Sequence, residues 1–589
     1  MKAAYFFLAF TWITNSFSQD ISVAIPKSVG TIVALNTQRL STKVSVDEIF
    51  QLPTFKFIDE EIKSLLPGQY HLLSAFYKNP SAVGLNVKPQ FYLTFEPIND
   101  TLNAYAWLIN MSDVKKFENA IQKTLMIFSS TGKIEQGRNY KYIYKDYTGL
   151  GWNKKGMILV NVVPVNENMI YEGLDKEADD YYDIIGERKD KLRRRQQQLM
   201  KEKLEEMFRK TEIESILSNT NYQLFKIEEA DMSTWISSDR LNQATVSAAK
   251  ANPYLSSQPS ASFQKQNEKY LSGSYFHIFT NFNKGEIKSI QRQYVNGELN
   301  QVIARTYTKK VNPIFFEYIN GQNLLGFISL AVDYQQLYYA STQAYQPLFG
   351  ENGLFHSFNQ TIFQFLEKTF QTQNLSDVFA GDINIAITGA KTNEITYTDF
   401  VFDEEFNSKP VVKTKIEVSP LFLVMITTTS AENAQKLIQT LLENQIITKH
   451  PTKKIFPIQN QDYIKDAYLF VENNLIFITN ETSYQKTHQN VAQLHPEWKQ
   501  NATQKQFMMI ADLKNILLLV SQKYSQEDPS YSKSMGILAN ELKDIQLQGI
   551  EIVGDTYTIK ANIFLTDTNK NSLFKLFELI DKVMGSQTK

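Results

Sequence analysis

The sequence predicts an α+β fold. The expected architecture is duplicated modules of mostly antiparallel sheet with packed amphipathic helices, plus a long charged helix between them. Three observations predict it. A strand, an amphipathic helix, a strand and a tight hairpin occur in order near residues 103–162, and again near 420–480. Aromatic residues make up 13% of the chain, with 39 Phe and 30 Tyr, which suits sheet packing; a sugar-stacking surface is the sharper alternative. Between the copies the composition turns to dense, interleaved charge on helix-favouring residues.

Residues 1–18 read as a signal peptide. Lys2 precedes an apolar run from Tyr5 to Ile13, and Ser16-Phe17-Ser18 is a small-x-small cleavage signal. The alternative is a buried first strand. The first α+β module is expected over 19–170. In it Asn103 to Ile109 reads as a strand and Ser112 as a helix cap. Val114, Phe117, Ala120, Ile121 and Leu125 recur at helical spacing and give the next helix one apolar face. Tyr140 to Tyr144 alternates like a half-buried strand. Gly149 to Trp152 and Met157 to Val162 flank the polar turn Asn153-Lys154-Lys155-Gly156, a hairpin pattern.

A charged helical arm is expected over 171–236. It opens on the acidic Glu177 to Asp183 and runs through Arg193-Arg194-Arg195. Leu199, Met200, Leu204, Met207 and Phe208 supply a narrow apolar stripe. Such a helix could pack on its own domain, bind a partner, or offer a basic patch; its interleaved Glu residues oppose the last. Residues 237–273 form a Ser- and Gln-rich segment read as a flexible boundary.

The second α+β module is expected over 274–490. Leu421 to Ile426 is its strand, and Thr429 or Ser430 its helix cap. Ala431, Ala434, Leu437, Ile438 and Leu441 are the apolar stripe. Tyr468 to Val471 and Leu475 to Thr479 flank Glu472-Asn473-Asn474 as the hairpin. Ala431 stands to Val114 as Val471 stands to Trp152, within about two residues of one offset. Residues 491–589 form a C-terminal partial repeat, with a strand at Asn562 to Leu565, a cap at Thr566 or Asp567, and a helix through Leu573, Leu576, Leu579, Ile580 and Val583. A shorter phrase, a strand running into a helix, recurs at Thr31–Leu40, Gly326–Leu337 and Phe507–Ile516. Ile516 to Val520 is the greasiest later stretch and reads as core, being far short of a membrane span.

Composition bounds the chemistry. There are 0 cysteines, so this chain makes no disulfide, no thiol nucleophile and no thiolate metal site. Formal net charge is −1, which gives no field to recruit nucleic acid. His488, His495 and Glu497 are the only local metal-like cluster, and Pro496 interrupts it. Asp179, Asp180 and Asp183 imitate a calcium loop without its Gly and terminal Glu. S-x-x-K occurs at Ser247/Lys250, Ser262/Lys265, Ser483/Lys486 and elsewhere, as chance predicts in a Ser- and Lys-rich chain. No catalytic residue, cofactor or metal is therefore assigned.

Four phrases carry a resemblance. They are Ala24 to Asn36 with Leu40 and Lys43, Ala230 to Trp235, Phe282 to Ile287, and Phe379 to Ile387. In this order they resemble DUF4836, an uncharacterised family of exported Bacteroidota envelope proteins. The resemblance implies an exported chain, periplasmic or peripheral to the outer membrane, and carries over no activity. In that phylum Asp100-Thr101-Leu102 also fits a short O-glycan acceptor pattern. The leading expectation is a non-catalytic envelope protein that binds or scaffolds an envelope or outer-membrane protein partner. The alternatives are a periplasmic hydrolase of glycan or peptide, and a binding module for lipid or saccharide.

Overall fold

The computed structural model describes residues 21–88, 90–99, 101–165, 181–226, 229–240, 272–295, 297–337, 339, 364, 367–372, 374–402, 406–459, 467–481, 494 and 496–587. Residues 1–18 of the expected leader and most of the Ser/Gln-rich segment lie outside them. The fold is α+β, with a large antiparallel sheet and packed helices. The chain divides into two compact units. The first takes Met1–Asn283, Ser289–Asn296 and Asn571–Asp581; the second takes Lys284–Lys288, Gly297–Lys570 and Lys582–Lys589.

The first unit uses β1 (Thr31–Leu35), β2 (Leu85–Asn86), β3 (Phe91–Pro97), β4 (Leu102–Met111), β5 (Glu135–Gln136), β6 (Lys141–Lys145), β7 (Thr148–Trp152), β8 (Gly156–Pro164), β9 (Met232–Ser237) and β10 (Tyr275–Asn283). Their pairing order is β10-β9-β1-β3-β4-β8-β7-β6-β5, antiparallel throughout, with β2 alongside β4. Alternation sends Ile32, Ala34, Tyr92, Ala106 and Leu108 to one face and Leu35, Phe91, Trp107 and Ile109 to the other. Both faces are packed. The helices Tyr70–Lys78 and Val114–Phe128 bring Phe76, Phe117, Ile121 and Leu125 onto the second face. The cap of Val114–Phe128 is Asp113 and not Ser112. The Asp113 carboxylate accepts from the Lys115 and Lys116 N–H groups, while the Ser112 hydroxyl donates to the Leu85 carbonyl.

The charged helix Tyr181–Arg209 packs on its own unit. Leu199, Met200, Leu204, Met207 and Phe208 are all buried in the first face's core, each worth about 2 kcal/mol. Glycine makes the approach possible. A Cβ on Gly151 would stand 2.6 Å from Phe208 Cε2, and one on Gly149 would run into Met200. The polar side of the helix is latched as well: Lys203 pairs with Glu96, Arg193 with Asp146, and Lys201 lies 4.1 Å above the Tyr144 ring.

After β11 (Glu286–Tyr294), the second unit uses β12 (Gly326–Ala331), β13 (Phe379–Phe402), β14 (Ser408–Thr428), β15 (Phe456–Pro457), β16 (Tyr468–Glu472), β17 (Leu475–Thr479), β18 (Phe507–Ala511), β19 (Leu542–Val553) and β20 (Thr556–Leu565). Their pairing order is β20-β19-β18-β12-β13-β14-β17-β16-β15, again antiparallel. Ser430 caps Ala431–Glu443 through the Asn433 N–H. Asn473 turns the β16–β17 hairpin at φ 55, a left-handed conformation Asn tolerates. The strand-into-helix phrase is present three times with one device. Asn36, Asp333 and Asp512 accept from the N–H three residues on, at Arg39, Gln336 and Asn515.

Two further expectations need correction. The last helix starts at Ser572, with the Asn571 side chain accepting from the Leu573 N–H; Asp567 instead closes a turn by accepting from Asn569 and Lys570. The greasy stretch Ile516 to Val520 lies in helix Leu513–Tyr524, which buries no residue fully.

Candidate functional site

Three of the four resemblance phrases meet at one carboxylate in the first unit. The Asp231 side chain is fully buried. Arg39 Nε donates to its Oδ1 at 3.0 Å and the Phe282 N–H to its Oδ2 at 2.7 Å, with Lys43 Nζ 3.7 Å away. The Asn281 side chain accepts from both Asp231 N–H and Arg39, and the Asn36 N–H donates to the Asp231 carbonyl. A buried carboxylate with two cations and a backbone donor is satisfied; it ties the start of β1's helix to β9 and β10. The geometry is that of a structural knot.

The fourth phrase lies on β13 in the second unit. Asp382 is buried there, and burial raises its carboxyl to about 6, against the opposing pull of the Asn312 N–H and Lys309. Lys309 Nζ donates to the neighbouring Ala380 carbonyl at 2.8 Å.

The surface that stands apart is the hairpin β13–β14. Its strands pair continuously from Ala390↔Pro420 to Phe402↔Ser408. β12 pairs with β13 only as far as Ile387, and β17 with β14 only from Leu423, so among the described residues both outer edges beyond are bare. Register divides the ribbon into two faces. One carries Ile395, Tyr397, Asp399 and Val401 opposite Lys415, Lys413, Val411 and Lys409. On it Lys413 pairs with Asp399 at 2.6 Å, Lys415 sits 5.2 Å above the Tyr397 ring, and Val401 and Val411 are less exposed than Phe400, Phe402 and Val412. The other carries Glu394, Thr396, Thr398, Phe400 and Phe402 opposite Ile416, Thr414, Val412, Pro410 and Ser408. Nothing among the described residues covers it: Phe400, Phe402 and Val412 are 59%, 63% and 71% exposed. Sequence reasoning missed this ribbon. Its signal is the β-branched and aromatic alternation Ile395 to Phe402 and Val411 to Val418, with no helical period.

Most of the sequence-named candidates fall outside the described residues. His488, His495, Asp179, Asp180 and the S-x-x-K pairs Ser247/Lys250, Ser262/Lys265 and Ser483/Lys486 lie outside them, as does the Glu497 side chain. Asp183 is exposed in the first turn of its helix. Among the described residues no group of three His, Asp or Glu could hold a metal, and no helix is long and apolar enough to cross a membrane. Thr101 is exposed, its hydroxyl 2.9 Å from Asn99 Oδ1.

Residues 22–185 match the model of DUF4836, a domain of unknown function. No curated protein and no solved structure matches the chain. The DUF4836 match runs from before β1 to the first turn of the long helix. Arg39 and Lys43 lie inside it; the carboxylate they hold, Asp231, lies beyond its end. The β13–β14 ribbon is outside the DUF4836 match altogether.

Proposed function

We propose that this chain is a duplicated, non-catalytic protein of the cell envelope that binds a partner protein through the β13–β14 ribbon. The bare apolar face of Phe400, Phe402 and Val412 carries the reading. A two-stranded hairpin is marginal in water without a third strand or a covered face. Here each strand runs for about a dozen residues past its last neighbour, about 40 Å at the usual rise. One such face is about 400 Å² in area, half of what each side of a standard interface buries. That favours an extended partner segment, which adds main-chain hydrogen bonds along an edge to the apolar contact. A bilayer suits the ribbon less well, because hydrocarbon would leave its edge N–H and C=O groups unpaired. Lysines on the opposite face and Pro410 fit a strand guarded against indiscriminate pairing. The envelope location rests on the leader-like run Tyr5 to Ile13 and on the exported family the four phrases resemble. The duplication is supported by the common strand order of the two units.

A photo-crosslinking residue placed in turn at Phe402, Val412, Tyr397 and Lys413 in producing cells tests this. Protein adducts from Phe402 and Val412, and few from the other face, are expected. Lipid adducts, or equal yield from both faces, would overturn it.

A further inference from the structure

In the second unit one sheet face is packed and the other is only partly so. Phe327, Ala331, Ala386, Met508 and Ile510 join the core on the packed face. On the opposite face Ala434 and Ile438 of helix Ala431–Glu443 cover β16 and β17 at one flank. Helix Leu513–Tyr524 lies at the other flank, and between sheet and helix is a groove of about 450 Å³. Its floor is Ile328, Ile385 and Met509, and its wall is Ile516, Leu519 and Val520. Ile328 and Ile385 remain 39% exposed, which is unusual for two facing isoleucines in the middle of a sheet. Lys523 is the one charged side chain among the described lining residues.

A second chamber, of about 640 Å³, adjoins the groove, and Leu325, Ala390 and Leu519 line both. That chamber is polar: Asn323, Thr388, Asn515 and Gln522 line it together with Trp498. Amides and a hydroxyl supply donors and acceptors together, which a hydroxylated head group matches and a hydrocarbon does not. Glu481 and Asp512 also line it, so an anionic head would meet like charge. The volumes fall in the range of small-molecule sites.

We infer that the second unit binds a single-chain amphiphile with a sugar-like, uncharged head, its acyl chain in the Ile328–Ile385–Leu519 groove and its head in the Trp498–Asn515–Gln522 chamber. Chain burial supplies most of the affinity, and the chamber selects the head. Binding does not depend on the ribbon's outer end, because from the ribbon only Ala390, Val418 and Pro420 at its base line the groove.

The test is calorimetric titration of the full chain with dodecyl maltoside below its critical micelle concentration, with maltose and laurate in parallel. One saturable dodecyl maltoside site per chain is expected, with maltose and laurate each weaker by about ten-fold or more. Ile328→Trp, which fills the floor, and Leu519→Trp, which fills the wall, should each weaken binding by about ten-fold or more while circular dichroism stays native. Phe402→Ser on the ribbon should leave it unchanged. Laurate binding as tightly as dodecyl maltoside, or undiminished binding by either folded Trp variant, would overturn the assignment.

Discussion

The two units thread their strands in one order and finish them differently. β1-β3-β4-β8-β7 in the first corresponds to β12-β13-β14-β17-β16 in the second, with β9 and β10 answering to β18 and β19. In the first unit both sheet faces are buried, rings pack across register (Phe91 with Trp107 at 5.5 Å, Phe95 with Tyr105 at 5.2 Å), and a long helix is latched over β7. In the second the same central face is aliphatic and part-open, and the hairpin answering to β3–β4 is drawn out into the ribbon. Surplus apolar surface is concentrated in the second unit. The first unit keeps a smaller apolar cavity of about 310 Å³ lined by Phe76, Ile121, Phe128 and Leu150; the second retains a groove of about 450 Å³ and an uncovered strand pair.

If the first unit is the more fully packed one, Asp231 at its knot should be among the costliest single side chains to cut. Asp231→Ala would leave Arg39 and Lys43 facing a buried void and the Phe282 N–H unpaired. A loss of about 3 kcal/mol is expected in urea unfolding. Asp382→Asn in the second unit should cost much less, because that carboxylate is held against its burial. Equal losses would erase the contrast.

Acid should then separate the units by sign. His277 on β10 is buried beside Tyr275 and Phe279, and burial, aided by Arg292, lowers it to about 4 from 6.5. Its folded-state pKa is depressed, so the unfolded chain binds the extra proton first, and stability falls as pH drops from 6.5 towards 4. Asp382 is the reverse. Raised from 3.8 to about 6, it favours the protonated folded state, so its contribution fades as pH rises through that window. Each shift is worth on the order of 2–3 kcal/mol. His277→Gln should flatten the acid-side loss, and Asp382→Asn the loss on the rise from pH 4 to 6. Melting curves across pH 4–7 check both, and same-sign slopes would refute the assignment.

Smaller still is the expected effect of Gly151→Val. Phe208 cannot yield easily, because it stacks on Tyr140 at 4.6 Å and 9°. Overpacking should cost about 1–3 kcal/mol and increase hydrogen exchange along Tyr181–Arg209. Native exchange in that helix would show that its packing is looser than its burial implies.

Much of this was legible in the sequence, for definite reasons. Helix Val114–Phe128, helix Ala431–Glu443 and their hairpins have strong periodicity and local caps, so neighbours in sequence decide them. The stripe Leu199 to Phe208 was readable as an apolar face, but not its seat: that depends on two missing Cβ atoms on β7. The caps at Asp113 and Asn571 were misplaced because Ser, Thr, Asp and Asn compete within a few residues and only backbone geometry chooses. Asp231 and its cations are about 190 residues apart in sequence, so no local pattern could join them. The groove was invisible for a related cause. Ile516 to Val520 looks like core by composition, and only the third dimension shows that the helix stands off the sheet.

The smallest stability change should come from the ribbon. Phe400→Ser, Phe402→Ser and Val412→Thr together remove the exposed apolar face and leave the Asp399–Lys413 pair and the Tyr397–Lys415 contact intact. Those three side chains already lie largely in water, so their transfer to a polar surface is nearly neutral. The unfolding free energy should hold to within about 0.5 kcal/mol of wild type. The same chemistry applied to the first unit's rings, Phe91→Ser with Trp107→Ser, should unfold it, since Phe91 is buried and Trp107 packs against the same core. A ribbon triple variant that melts with the protein would mean that its bare face is already covered by its own chain. A triple variant that melts normally but yields no crosslinked partner would place the binding energy on that face and separate it from the energy that holds the fold.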